Sequence, residues 1–216
     1  MKKLGTLIIL ACLSLTALAT DDPYSKAMKE GLQMLSEAQG PQDYLAAANK
    51  FSRIADNEKD KWYPAYYASY AMTIVAAIEQ DPSKKDTDLD AAQDYLERAE
   101  SVDHNEAEVL ILQGFIYMIR IGVDPANRGQ QYSGMSATSL QKAKKLEPEN
   151  PRVLHMLAQL SFGTAQFFGS DTSEACGIND QAIEKFNSLD ETVNEDPFAP
   201  KWGKEMAEQF KARCGN

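Results

Sequence analysis

The sequence predicts an all-α chain: an α-α superhelix (a solenoid) of about four helical hairpins with a C-terminal capping helix. Two observations carry this. A spacing of +4, +3 and +5 returns four times at intervals of 44 to 46 residues: Ala47–Phe51–Ile54–Lys59, Ala92–Leu96–Ala99–His104, Ser136–Leu140–Ala143–Pro148 and Ala182–Phe186–Leu189–Asn194. Each copy places a small residue, a bulky apolar one, another apolar or small one, then a helix stop. A helical unit that cannot bury its apolar stripe alone must stack on copies of itself. The second observation is the end of the chain, where Trp202, Met206 and Phe210 fall at i, i+4 and i+8 within residues 200–213. One apolar stripe on an otherwise charged helix suits an element that covers the open end of a stack.

The elements follow in order. Met1-Lys2-Lys3, an apolar run from Leu4 to about Ala19 and then Thr20-Asp21-Asp22 have the charge, hydrophobic and small-residue order of a secretory signal. Cleavage after Ala19 is expected, giving a periplasmic or secreted protein. A lipobox reading through Cys12 is the less favoured alternative, because it leaves a short hydrophobic region. The run is shorter than the roughly 20 apolar residues of a membrane span, so no transmembrane segment is expected in the mature chain. Residues 20–216 then form a single repeat domain, with units at about 24–60, 61–105, 106–150 and 151–197 and a cap at 198–214.

Unit one is the weakest: Tyr24 to Ala38 is helical in pattern, Gly40-Pro41 breaks it, and Asp43 to Ala55 resumes. In unit two the first helix starts near Pro64, with Ala65, Ala68 and Ser69 where helices would touch. Unit three is the clearest. Asn105-Glu106 open a helix carrying Leu110, Gln113, Gly114 and Tyr117, and Ser136 to Leu146 forms the second, closed by Pro148 and Pro151. In unit four Leu154, Leu157 and Ala158 precede Ala182 and Phe186.

This arrangement resembles the tetratricopeptide repeat (TPR), over about residues 24–197. Large, variable, small and aromatic residues stand at +3, +1 and +3 in the first helix, and the second carries small, large and alanine-like residues before a proline. A standard unit has about 34 residues and a HEAT-type unit about 40–47. The alanine-rich contacts and the Pro148-to-Pro151 closure favour the TPR-like reading. The excess falls between the two helices of a unit, where Ser69–Ala92, Gly114–Ser136 and Ala158–Ala182 are 23, 22 and 24 apart. The sequence therefore predicts enlarged intra-repeat loops around Asp81-Pro82, Gly122 to Gly129 and Phe167 to Asp171.

The resemblance implies that the first helix of each unit lines a concave groove. Its contact positions become Tyr63, Tyr66, Tyr70 and Thr73; Glu108, Ile111, Phe115 and Met118; and Arg152, His155, Gln159 and Phe162. It also implies a protein or peptide partner from the cell envelope, bound in that groove. Tyr67 is expected in the core. A small-ligand-binding accessory role in an envelope solute transport system is the alternative, and it would need an enclosed aromatic pocket.

Composition narrows the rest. Net charge is −10, and loss of Lys2 and Lys3 with the leader takes it to −12, so a nucleic-acid partner is not expected. His104 and His155 form no metal-spaced pair, and no nucleophile-elbow, phosphate-loop or dinucleotide string occurs. No catalytic residue, metal or cofactor is predicted, and the chain is read as a non-enzyme. Cys176 precedes one helix and Cys214 follows the cap, so a bridge between them would pin the cap in an oxidising compartment. The sequence leaves the oligomeric state open.

Overall fold

A computed structural model describes residues 22–189 and 196–215. The signal-sequence reading, Cys12 and the closing Asn194 lie outside these residues. Among the described residues every regular element is helical: α1 (Pro23–Glu37), α2 (Pro41–Asn57), α3 (Trp62–Ile78), α4 (Pro82–Glu100), α5 (Glu106–Ile121), α6 (Pro125–Leu146), α7 (Pro151–Phe168), α8 (Ser173–Ser188) and α9 (Lys204–Cys214). None is long and apolar enough to cross a membrane.

Proline sets most of the starts. α1, α2, α4, α6 and α7 each open with Pro at the first turn, where a missing N–H costs nothing. Asp22, Asp81, Asp124 and Asn150 cap these starts by accepting backbone N–H groups. The predicted enlarged loops are corrected by these same signals. Asp81-Pro82 and Asp124-Pro125 are cap and first turn, so the extra residues lengthen the helices and leave links of three or four residues.

Each helix packs on the next in chain order, and α5 also touches both α3 and α7. The repeated small residues lie where helices approach most closely. Ala47, Ala92, Ala143 and Ala182 are fully buried. The Ser69 hydroxyl donates to Ala92 O at 2.7 Å across α3–α4, and the Ser136 hydroxyl to Gly114 O at 2.8 Å across α5–α6. A Cβ on Gly114 would meet Leu140 at 2.6 Å, and one on Gly31 would meet Phe51 at 2.7 Å. The fourth copy departs, since Leu189 is exposed where Ile54, Ala99 and Ala143 are buried.

Two ion-pair systems fasten α5 at opposite ends. Near its start, Glu108 meets Arg152 of α7. Near its end, Arg120 reaches Asp86 at 3.1 Å and Asp90 at 2.6 Å on α4, and Arg128 of α6 meets the same Asp86 at 2.7 Å.

The predicted cap is shorter than expected. The chain over 196–203 is irregular, Gly203 takes a φ of +110°, and α9 starts only at Lys204. A Cβ at Gly203 would meet Phe186 at 2.9 Å and Arg152 at 3.2 Å, so only glycine fits both the backbone and the space. Trp202 therefore leaves the α9 stripe, while Phe210 packs edge-on against Phe162 and His155. The expected Cys176–Cys214 disulfide is present and joins the first turn of α8 to the end of α9, with Cα atoms 5.8 Å apart.

Candidate functional site

The aromatic residues of α3 and α5 face the segment that runs from Asp196 to Trp202. Trp202 stacks on Tyr70 and Phe115, with ring centroids 5.0 and 6.1 Å apart, and its indole N–H donates to the Tyr66 hydroxyl at 2.8 Å. The Tyr67 hydroxyl donates to Phe198 O at 2.8 Å, and the Tyr63 hydroxyl donates to the Asp196 carboxylate. The chain's own C-terminal segment thus occupies the surface that the sequence assigns to a groove.

The predicted groove residues divide accordingly. Tyr66, Tyr70, Thr73, Ile111, Phe115 and Phe162 are buried, and Tyr63, Met118 and Gln159 are half-buried. Tyr67 lies in the core as expected. Burial pushes the Tyr66, Tyr67 and Tyr70 phenols well above the usual tyrosine value, so they stay neutral.

Glu108 and Arg152 are both buried and paired to each other. Arg152 Nε lies 3.1 and 3.0 Å from the two Glu108 oxygens, and Asn150 Nδ2 and the Tyr66 hydroxyl donate to the same carboxylate at 2.7 and 3.3 Å. Burial alone would lower the Arg152 pKa; the Glu108 charge and hydrogen bonds outweigh it and raise it. With every lone pair answered, this pair is a structural tie between α5 and α7, with no free head for a ligand carboxylate.

His155 is committed in the same way. Its Nδ1 donates to Asn179 Oδ1 at 2.7 Å, its Nε2 accepts from Gln159 Nε2 at 2.5 Å, and Asn179 Nδ2 donates to Ala207 O at 2.9 Å. This relay joins α7, α8 and α9. Burial lowers the His155 pKa to about 4, so the ring is neutral. His104 differs: its Nδ1 donates to Val102 O at 2.7 Å, a carbonyl that only accepts.

Open concavity lies at the other face of the aromatic cluster, around Tyr24. One cleft of about 350 Å³ runs between α1 and α2, lined by Tyr24, Ala27, Lys50, Arg53, Ile54 and Glu58. A second, of about 630 Å³, is lined by Tyr24, Lys61, Trp62, Tyr63, Asp103 and Phe198. Tyr24 is the wall common to both, held edge-on to Phe198 at 5.4 Å. Trp62 and Tyr63 stack at 4.1 Å. Burial, then the Asp196 carboxylate, raises the Tyr24 phenol, so Tyr24 is neutral and offers a face and a donor. Sequence reasoning missed Tyr24, Lys50 and Arg53, because the clefts form between helices and no local spacing announces them.

Among the described residues no three His, Cys, Asp or Glu side chains come together to hold a metal ion. No buried side-chain nitrogen or oxygen among them lacks a partner. The interior therefore holds no polar group waiting for a ligand.

No protein-family model matches the sequence, and no curated protein matches it. Among solved structures, the HusA haemophore from Porphyromonas gingivalis is similar. It is 28% identical, superposes with a TM-score of 0.77, and the match covers 89% of this chain and 93% of that one.

Proposed function

We propose that this chain is an exported, non-enzymatic carrier of haem or a closely related tetrapyrrole, acting as the small-ligand component of an envelope uptake system. The likeness to the HusA haemophore, extending over nearly the whole of both chains, carries the reading. The disulfide suits an oxidising compartment. In this reading α1–α2, α3–α4, α5–α6 and α7–α8 are four TPR-like hairpins of one solenoid and α9 is their cap. A peptide partner in the concave groove is disfavoured, because Phe198 and Trp202 already cover Tyr66, Tyr67, Tyr70 and Phe115. The expectation of an open groove therefore gives way to the small-ligand alternative, with open clefts around Tyr24 in place of the enclosed aromatic pocket expected for it.

The test is titration of haem into the mature chain, followed by absorbance. A saturable shift of the main haem band at a one-to-one ratio is expected, with a Kd of about micromolar or below, worth about 8 kcal/mol. A change that stays linear with added haem, as for haem in buffer, would overturn the reading.

A further inference from the structure

Resting on the haem-carrier reading, we propose that the tetrapyrrole seats in the paired clefts around Tyr24. Its ring lies against Tyr24, Trp62, Tyr63 and Phe198, and its carboxylates point toward Arg53 and Lys50.

The rival surfaces fail on contacts. The α3–α5 aromatic face is filled by Trp202, and His155 has both ring nitrogens engaged. Phe167 and Phe168 are each 73% exposed and pack edge-on to one another at 5.1 Å. They line neither of the two clefts.

The Tyr24 region supplies what a flat amphipathic ring requires. Its two cavities, about 350 and 630 Å³, lie within the roughly 300–1,000 Å³ of small-molecule sites. Aromatic side chains present wide faces at low entropic cost, and here Tyr24, Trp62, Tyr63 and Phe198 converge from α1, α3 and the C-terminal segment.

Charge sets the orientation. Around the larger cleft stand Asp60, Asp103 and Asp196, with Lys61 3.6 Å from Asp60. That rim repels a carboxylate. On the α2 side Glu58 is the one acid lining the cleft, against Lys50, which bonds Glu30 at 2.6 Å, and Arg53, whose guanidinium makes no ion pair among the described residues. Arg53 is exposed and free to take a carboxylate in a two-pronged contact. The apolar edge of the ring thus faces Trp62 and the acidic edge faces α2.

The experiment measures haem Kd for the mature wild-type chain, Arg53→Glu, Trp62→Ala and a Phe167→Ala/Phe168→Ala double variant, at low and high salt, with helicity checked by circular dichroism. Loss of a central aromatic anchor should weaken binding about tenfold or more, and Arg53→Glu several-fold, with that deficit shrinking as salt rises. The double variant should bind like wild type. Arg53 is exposed, so its variant decides the matter should Trp62→Ala fail to fold. Wild-type affinity in Arg53→Glu, or loss of binding in the phenylalanine variant, would overturn the site while leaving the haem reading intact. Failure of the wild type to bind would overturn both.

Discussion

Two aromatic surfaces share helix α3, and they have opposite fates. On one, Tyr66 and Tyr70 are buried under Trp202; on the other, Trp62 and Tyr63 stack beside an open cleft walled by Tyr24. Composition does not separate them, since both are runs of tyrosine beside a tryptophan. What separates them is what the distant C-terminal segment does on each: Trp202 covers Tyr66 and Tyr70, whereas Phe198 only walls the cleft beside Trp62 and Tyr63. A filled surface contributes stability and an open one contributes binding, so substitutions on the two sides should report on different measurements.

The sharpest way to break the filled side is Arg152→Met. It strands the Glu108 charge in the interior and should cost about 3–5 kcal/mol in urea unfolding. A loss below about 1 kcal/mol would mean that water reaches the pair. Next comes the bridge that closes the loop carrying the C-terminal segment. Cys176→Ser with Cys214→Ser, closing a 38-residue separation, should cost about 2–4 kcal/mol and lower Tm.

Acid offers a third test. The folded His155 pKa is about 4, below the ordinary 6.5, so between these values the unfolded chain holds the extra proton. The His155 contribution is therefore complete above about pH 6.5 and shrinks as pH falls through the window. Going from pH 7 to 5 should lose about 2 kcal/mol, and His155→Leu should flatten that slope. Gly203→Ala comes next, forcing a left-handed residue against Phe186 for about 1–2 kcal/mol in thermal unfolding. Smallest is Arg53→Glu, expected within about 0.5 kcal/mol of wild type in stability. A large stability loss there would show that the open side is also structural.

The helices and their closest contacts are legible in the sequence because they are local. Ala92, Ser69 and Gly114 mark helix contacts by their size and spacing, and those contacts lie within about one repeat of each other in the sequence. The lengthened helices were misread, because Asp81-Pro82 serves equally as a turn and as a cap with its first residue. The filled groove was not legible. Its deciding hydrogen bonds span 131 and 136 residues, and no pattern within a repeat encodes a partner so distant. A signal existed in Pro197-Phe198-Ala199-Pro200, where two prolines hold an apolar stretch out of helix before Trp202. Such a stretch needs a surface to lie on.

The two ion-pair systems on α5 have a mechanical consequence. Glu108 and Arg120 are 12 residues apart, about 18 Å along the axis. One fixes α5 to α7 and the other fixes it to α4. A single fastening would let a neighbouring helix swivel about it like a pin; two, at opposite ends and toward different neighbours, resist torsion. The middle of the molecule is thereby a stiff beam, and the Tyr24 clefts lie beyond it, against α1 and α2. Haem seated there, as proposed, would come and go without the beam flexing, as at a bracket fixed to the end of a girder.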